Sequence, residues 1–370
     1  MDSKDSKLII NASNLHHGGG VQVAVSFLWE LLSIDASDFG VVVSSVVDAE
    51  FNQLGADTTK FKSYQIHDSF GLKAIFDYKL QRLLNSSDVV FTVFGPLYCF
   101  LPNTKVVVGF AQPWIIYPEN EVYKASNLPA RLKIRLKFFI QKLFYFNSDL
   151  LVVEHSHVKK GLEKLSRHLN IEVVHSCVSS VFRGLKSDSQ VKGVDDIIKL
   201  GYLTRDYPHK NLDIIPSMLN SLNEDYGLTA EFFVTLNDNE WRSKSATFRE
   251  NVINVGSLSV DDCPSFYASL DGIVCPSLLE CFSATPFEAM LMKRPVFVSD
   301  RHFFSDTCGE FALYFNPLYP ESIAARIFHY FSQTESVQET AVSNAYNHAL
   351  TFNNPKLRAE AYINLIRDVL

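Results

Sequence analysis

Short, continuous runs of apolar residues recur along this chain, and they restrict its fold more than any other feature. The runs are rich in Val, Ile, Leu and Phe, and segments long enough for helices separate them. A strand that is apolar at every position is buried on both faces, as strands are in parallel sheets covered by helices. The pattern therefore predicts an α/β architecture. The predicted strand runs are 8–13, 40–46, 88–94, 105–110, 149–155, 171–175, 197–203, 230–236, 251–256, 272–276 and 294–299.

The series of runs is interrupted by the polar stretch 184–196. A chain of 370 residues that is 47% hydrophobic is too long for one ordinary core. We therefore predict two doubly wound domains, 1–190 and 191–350, hinged near 184–196 and facing a central cleft. The segment 351–370 predicts a C-terminal helix that starts at Asn354-Pro355 and could pack on either domain, including back on the first.

The charge balance disfavours strong nucleic-acid binding. The net charge is −7, and residues 1–190 carry 20 Lys and Arg against 18 Asp and Glu, so the acidic excess lies in the second half. No apolar run approaches about 18 uncharged residues, and the first ten residues are too polar for a secretory signal. We expect a cytoplasmic protein, either free or peripheral on the cytosolic face of the inner membrane.

Neither the cysteines nor the histidines form a recognisable ligand set. The six cysteines lack a C-x-x-C pair and any regular spacing, which predicts free thiols. The pairs His16-His17 and His155-x-His157 are the best metal candidates, but neither is part of a zinc signature. We expect no metal and no cofactor.

Three glycines, Gly18, Gly19 and Gly20, follow the first predicted strand and precede the helix-like stretch Val21–Leu32. Glycines at such a place let backbone amides approach a phosphate closely, although a simple tight turn fits the pattern equally well. A dinucleotide fingerprint would need a third spaced glycine where the chain has Val23. A nicotinamide or flavin enzyme is therefore disfavoured.

Two further loops follow strands of the second predicted domain. Arg205 and Lys210 follow the strand run 197–203, where they could clamp a diphosphate or be two solvated charges. Glu280 and Glu288 follow the run 272–276. The stretch from Thr285 to Glu288 has the form of a capping box, with threonine as the N-cap and glutamate reaching back. Such a helix start would leave the amides of residues 283–285 open to an anion.

These loops together resemble a known family. Pro-Ser-x-x-Glu-x7-Glu-Ala-Met over 276–290, Arg-x4-Lys-Asn over 205–211, and the spacing of Gly256, Tyr267 and Asp271 are similar to retaining nucleotide-sugar glycosyltransferases of family 4, which have the GT-B fold. The family includes enzymes that build bacterial surface polysaccharides of the O-antigen type. The resemblance is specific over about 197–300, modest at the glycine loop and only architectural over 40–180.

The resemblance implies a role for each matching residue. Glu288 would bind the ribose hydroxyls of the donor, Glu280 would lie beside the donor hexose, and Arg205 and Lys210 would hold the diphosphate. Ser283, Ala284 and Thr285 would present amides to the diphosphate, and Gly18, Gly19 and Gly20 would lie near donor and acceptor. No metal would be needed.

The chain departs from the family pattern at three places. Cys281-Phe-Ser283 stands where Gly-Phe-Gly is frequent, and Lys293-Arg294 replaces a common Cys-Gly, so the donor cannot be identified. Gln112 stands in a loop where many relatives have a histidine near the reacting centre, and glutamine cannot carry a proton. An aromatic packing loop is the alternative reading of that segment.

The segment 124–146 is basic, because no acidic residue occurs between Glu121 and Asp149. If it is helical, Leu132, Leu136, Phe139 and Leu143 form one stripe, which we assign to the core, and Arg131, Arg135 and Lys142 form a face about 90° away. This basic face predicts contact with an anionic membrane, and an ordinary solvated face is the alternative.

The resulting hypothesis is a retaining hexosyltransferase that uses a nucleoside-diphosphate sugar and acts on a growing, lipid-linked glycan in lipopolysaccharide synthesis. A nucleotide-sugar epimerase or phosphorylase on the same fold is the nearest alternative. A non-catalytic sugar-binding adaptor is the alternative from another class.

Overall fold

A computed structural model describes residues 7–125, 127–182, 185 and 191–370. The described residues form two compact units. Unit 1 contains the residues up to Pro118, those from 127 to Cys177 and those from Asn353 onward. Unit 2 contains Glu119–Ala125 and the residues from Val178 to Phe352. Within the predicted boundary region 184–196, residues 184 and 186–190 lie outside the described residues.

Each unit is built on a parallel sheet, and each predicted run contains a strand. Within the described residues the sheet of unit 1 has the order β3-β2-β1-β4-β5-β6-β7, and that of unit 2 the order β10-β9-β8-β11-β12-β13. The strands are β1 Leu8–Ala12, β2 Phe39–Val43, β3 Ser63–Ile66, β4 Val89–Thr92, β5 Lys105–Phe110, β6 Leu150–Val153, β7 Ile171–Val173, β8 Ile198–Tyr202, β9 Ala230–Val234, β10 Ile253–Asn254, β11 Gly272–Cys275, β12 Val296–Ser299 and β13 Leu313–Phe315.

Helices connect the strands in both units. Those of unit 1 are α1 Gly19–Ile34, α2 Ser45–Gln53, α3 Tyr78–Leu84, α4 Pro113–Ile116, α6 Leu128–Phe146, α7 Ser156–Leu165 and α16 Pro355–Asp368. Those of unit 2 are α5 Glu121–Ala125, α8 Ile215–Tyr226, α9 Asp238–Ser243, α10 Ala246–Asn251, α11 Cys263–Ala268, α12 Thr285–Leu291, α13 His302–Cys308, α14 Pro320–Phe331 and α15 Glu335–Leu350. Short 3-10 helices span Ala36–Asp38, Thr58–Lys60, Gly71–Phe76, Ser180–Phe182, Pro208–Lys210, Leu212–Ile214 and Gly309–Phe311.

The strands missing from the prediction are β3 and β13, which lie at sheet edges. β3 reads Ser-Tyr-Gln-Ile and is largely exposed, whereas the central strands β1 and β2 are buried at every position. An edge strand needs no continuous apolar sequence, because one of its sides faces solvent. The apolar signal therefore fails at one edge of each sheet.

The C-terminal helix α16 belongs to the core of unit 1. It starts where predicted, because the Asn354 side chain accepts a hydrogen bond from the Leu357 backbone N–H at 2.8 Å. Tyr362 packs edge-on against Phe27 of α1, with 5.3 Å between the ring centroids. Arg358 is only 2% exposed and donates to the Ser26 hydroxyl at 3.0 Å. The end of the chain thus completes the helix layer over the first sheet.

The assignment of an apolar core stripe on α6 is wrong. Leu132 is 69% exposed, and Leu136, Phe139 and Leu143 are also exposed, whereas Phe138 and Tyr145 face the interior. The predicted basic segment is also divided, because Lys124 lies in α5 of unit 2 while α6 belongs to unit 1. Sequence periodicity identified an amphipathic helix but could not tell which apolar face is buried. No helix within the described residues combines the length and apolar character needed to cross a membrane.

Candidate active site

The strand order of unit 2 reverses direction between β8 and β11, which are hydrogen-bonded neighbours. In open α/β sheets a ligand binds beyond the carboxyl ends of the strands at such a reversal. The loop after β8 carries Arg205 and Lys210, and the loop after β11 carries Glu280. The fold therefore places three of the predicted residues on the two loops that flank this point.

Lys210 and Glu280 form a close ion pair. The Lys210 Nζ lies 2.5 Å from Glu280 Oε1, and the two side chains are 15% and 9% exposed. The ammonium also lies over the Tyr202 ring, 5.6 Å from its centroid. Burial alone would lower the pKa of Lys210, but the Glu280 carboxylate and the Tyr202 hydroxyl together outweigh burial and raise that pKa. Lys210 is therefore charged at any physiological pH.

The pair is held by bonds between the two loops. The Tyr202 and Ser277 hydroxyls are 2.8 Å apart, and the Leu278 backbone N–H donates to the His209 carbonyl at 2.7 Å. Asn211, which follows Lys210, has a φ of 56° and donates to the Pro317 carbonyl at 2.8 Å. These contacts fix the 3-10 turn that presents Lys210, so the ion pair is part of a preorganised surface.

Arg205 has a different partner from Lys210. Its Nε donates to Glu240 Oε1 at 2.9 Å, and its side chain is 44% exposed. The Asp206 backbone N–H also donates to Glu240, and Lys244 pairs with Asp206 at 2.6 Å. Arg205 is thus tied toward α9, whereas Lys210 is tied toward the loop after β11. The two cations lie on one loop, but the structure does not join them in a single clamp.

Glu288 accepts a hydrogen bond from the Tyr267 hydroxyl at 2.6 Å. Burial raises the pKa of Glu288 to about 7, although the tyrosine bond lowers it. Arg294, which is 2% exposed, donates from Nε to the Tyr267 carbonyl at 3.1 Å and from Nη2 to the Ala268 carbonyl at 3.0 Å. The arginine that departs from the family pattern therefore supports the tyrosine that orients Glu288.

The capping box predicted from Thr285 to Glu288 is wrong. The N-cap of α12 is Ala284, which has helical dihedral angles and no capping side chain. The Thr285 hydroxyl instead donates to the Leu203 carbonyl at 3.3 Å. The Glu288 carboxylate accepts its hydrogen bond from Tyr267 and does not reach back to the start of the helix. Within the described residues, the backbone N–H groups of Ser283, Ala284 and Thr285 donate to no protein acceptor.

In unit 1 the corresponding reversal lies between β1 and β4, and the glycine loop follows β1. Gly18 has a φ of 71° and caps α1, which begins at Gly19, earlier than the predicted Val21. Asn14 donates to the Phe94 carbonyl at 2.8 Å. The buried Ser13 Oγ and Asn14 Oδ1 have no hydrogen-bond partner among the described residues. This loop therefore leaves polar groups unused at the strand ends.

Gln112 lies at the N-cap of α4 in unit 1, and its Nε2 donates to Gln141 Oε1 of α6 at 3.2 Å. Its side chain is therefore engaged within unit 1.

All six cysteines are free thiols, as the sequence predicts. In the described part of the chain, no three or more His, Cys, Asp or Glu residues are grouped to hold a metal ion.

Sequence reasoning missed the residues that position the predicted ones. Tyr202 is the last residue of a buried strand and Ser277 belongs to the Pro-Ser pattern, so both had a weak signal. Glu240 and Lys244 had none, because they lie beyond β9 and meet the loop after β8 only through the fold.

Comparisons with known proteins find a family match for part of the chain and structural likeness for nearly all of it. Residues 196–333 match the family model described as Glycosyl transferases group 1. The match falls within unit 2 and includes Lys210, Glu280 and Glu288. No curated protein matches the chain.

Solved structures resemble the chain over nearly its whole length. Sucrose-phosphate synthase from Thermosynechococcus elongatus has a TM-score of 0.71 at 13% identity, covering 98% of this chain and 99% of that one. A TarM variant from S. aureus, in complex with Fondaparinux, alpha-GlcNAc-glycerol and UDP, has a TM-score of 0.69 at 12% identity, with coverage of 98% and 99%. HepE from Anabaena, in complex with UDP and glucose, has a TM-score of 0.68 at 13% identity, with coverage of 98% and 100%.

At such identities the likeness establishes the fold alone, which is GT-B with two Rossmann-like domains. The group 1 match adds a functional class for the segment that carries the candidate site. Together they support a glycosyltransferase.

Proposed function

We propose that the protein is a retaining hexosyltransferase whose donor is a nucleoside-diphosphate sugar. The observation that carries the proposal is the buried Lys210–Glu280 pair at the β8/β11 reversal, inside the segment that matches group 1 glycosyltransferases. A cation and a carboxylate fixed side by side suit a ligand that has a phosphate next to a sugar. Two solved neighbours, TarM and HepE, are in complexes that contain UDP, which makes a nucleotide donor chemically reasonable here.

Lys210 can bind a phosphate without releasing Glu280. An ammonium has three N–H donors, and the carboxylate uses one of them. Within the described residues Glu280 Oε2 accepts no hydrogen bond, so it is open to a hydroxyl of the donor sugar. Arg205 would join the phosphate through the guanidinium nitrogens that do not bind Glu240. Glu288 would accept the ribose hydroxyls beside its bond from Tyr267.

In the proposed reaction, the bond between the sugar anomeric carbon and the diphosphate oxygen breaks. The bond to the acceptor hydroxyl forms on the same face, so the configuration is retained. The proton of the acceptor moves to a leaving phosphate oxygen, and Lys210 and Arg205 stabilise the negative charge of the diphosphate. The scheme uses these cations in place of a metal ion, so we expect transfer to persist in EDTA.

The predicted roles of Gly18, Gly19, Gly20 and Gln112, and of the amides of residues 283–285, stay part of the proposal. We also propose a lipid-linked acceptor in surface polysaccharide synthesis, reached at an anionic membrane through the basic segment that includes α6. The support for that part is the excess of cations on α6, which carries five Lys and Arg and no acidic residue.

The test is incubation with UDP, GDP, ADP and dTDP sugars, with and without a glycan acceptor, followed by NMR of the products. We expect a glycoside with the anomeric configuration of the donor, and only slow hydrolysis when no acceptor is present. An inverted product would refute retention. A new nucleotide sugar formed without acceptor would favour the epimerase alternative.

A further inference from the structure

Helix α6 carries an exposed apolar stripe. Leu128, Leu132, Leu136, Phe139 and Leu143 are between 55% and 78% exposed. At about 100° per residue they occupy an arc of roughly 80° on one side of the helix. Phe138 and Tyr145, which anchor the helix to unit 1, lie on the far side. Among the described residues, the stripe is therefore a continuous surface of large apolar side chains that the protein leaves exposed.

Cationic residues border this stripe on both edges. On the helical wheel Arg131, Arg135 and Lys142 lie along one edge, and Lys133 and Lys137 lie along the other. Lys142 and Lys137 extend over neighbouring rings, with the Lys142 Nζ 4.9 Å from the Phe146 centroid and the Lys137 Nζ 5.2 Å from that of Phe138. An apolar stripe between two cationic edges is typical of a helix that lies in the plane of a membrane surface.

We propose that α6 is an interfacial helix, whose leucine stripe enters the headgroup and acyl boundary of an anionic membrane while its cations contact the headgroups. This deepens the proposed function, because it rests on a lipid-linked acceptor and assigns the attachment to an apolar face. Attachment is measured by lipid binding rather than by sugar transfer. Failure of the membrane attachment can therefore be distinguished from failure of the proposed sugar transfer.

Charge decides between a membrane and a second copy of the chain as the cover for the stripe. In a symmetric dimer through α6, Lys133, Lys137 and Lys142 of the two copies would meet, and α6 itself carries no acidic residue. An anionic leaflet neutralises the same cations and also accepts the leucines. The complementarity of charge therefore favours lipid.

The experiment compares binding to phosphatidylcholine vesicles and to vesicles with phosphatidylglycerol added, by sedimentation at low and high salt. The test variant is Leu132→Gln with Leu136→Gln. Its matched control in unit 1 is Leu54→Gln with Leu357→Gln, which changes leucines that are 48% and 50% exposed. A third variant replaces Lys133, Lys137 and Lys142 with alanine. Thermal melts check that all variants are folded.

We expect the wild type and the control to bind phosphatidylglycerol vesicles, and the stripe variant to bind at least about tenfold more weakly at either salt concentration. The lysine variant should lose binding mainly at low salt, because salt screens the electrostatic part and spares the insertion. Failure of the wild type to bind either vesicle would overturn the proposal. Equal binding by the stripe variant would also overturn it. A lipid-free dimer that dissociates on Leu132→Gln with Leu136→Gln would show that a second copy covers the stripe.

Discussion

The two units have the same strand order around their reversal points but different chemistry there. At the β8/β11 reversal of unit 2, Lys210 and Glu280 are largely buried and already paired, with 2.5 Å between Lys210 Nζ and Glu280 Oε1. At the β1/β4 reversal of unit 1, the loop consists of glycines, and the Ser13 and Asn14 side-chain oxygens lack partners among the described residues. A shared topology therefore fixes where a ligand can bind, whereas the loop residues decide what kind of group it can be.

This difference leads us to expect that charge binding is concentrated in unit 2 and backbone contact in unit 1. Substitutions at the unit 2 loops should then affect turnover and donor binding strongly. Those at the glycine loop should have small effects, provided that the backbone geometry is preserved.

The largest effect is expected for Lys210→Ala. This change removes one of the two cations proposed to stabilise the leaving diphosphate, and it leaves Glu280 buried without its partner. By analogy with the loss of one transition-state donor, kcat should fall by about 10²–10³-fold. Steady-state kinetics at saturating donor measure this effect. Lys199→Ala, an exposed lysine on β8 itself, is the control and should retain activity.

Glu288→Ala should act mainly on donor binding. The loss of a hydrogen bond to a charged group costs roughly 1.5–3 kcal/mol, which corresponds to about tenfold to a few hundredfold weaker donor use. The measurement is the KM for the donor together with calorimetry on the nucleoside diphosphate. A change confined to kcat would place Glu288 elsewhere than on the ribose.

Donor binding by the wild type should weaken as the pH falls through about 7, the value to which burial raises the pKa of Glu288. Below that pH the carboxyl is protonated and accepts hydroxyl groups poorly, so KM should rise by up to about tenfold per pH unit. Tyr267→Phe removes the bond that lowers this pKa, so its profile should move to higher pH. If the donor KM of Glu288→Gln depends on pH in the same way as that of the wild type, the titrating group is not Glu288.

The smallest effects are expected in the glycine loop of unit 1. A Cβ added at Gly19 meets nothing within 4 Å, so Gly19→Ala should leave the melting temperature unchanged. If a ligand approaches this backbone, the added methyl group of Gly19→Ala should cost one hydrogen bond to it. The KM for the donor or the acceptor should then rise by about two- to tenfold. Gly18 has a φ of 71° and a ψ of −161°, so Gly18→Ala should destabilise unit 1 by about 1–3 kcal/mol. Equal melting temperatures for the two variants would contradict this local contrast.

The sequence predicted the architecture well, because strands buried on both faces leave an unbroken apolar signal. It missed β3 and β13, which need no such signal at a sheet edge. The prediction of a capping box failed because local spacing cannot reveal tertiary partners. Glu288 accepts a hydrogen bond from Tyr267, and Thr285 donates one to the Leu203 carbonyl. The stripe on α6 was misassigned because an apolar face that is buried and one that is exposed have the same periodicity.

The candidate site was predicted residue by residue only where a local motif exists. Lys210, Glu280 and Glu288 lie in such motifs and were named in advance. Glu240 pairs with Arg205, Lys244 pairs with Asp206, and Arg294 donates to the Tyr267 carbonyl only through tertiary contacts, so no spacing in the sequence indicates these three residues.

The most direct test of the account is calorimetry of UDP, GDP, ADP and dTDP with the wild type, Lys210→Ala and Glu288→Ala. If the β8/β11 loops hold a nucleoside diphosphate, at least one of the four binds the wild type and binds both variants more weakly. If none of them binds the wild type, or if the variants bind as tightly as it does, the assignment of this site is wrong.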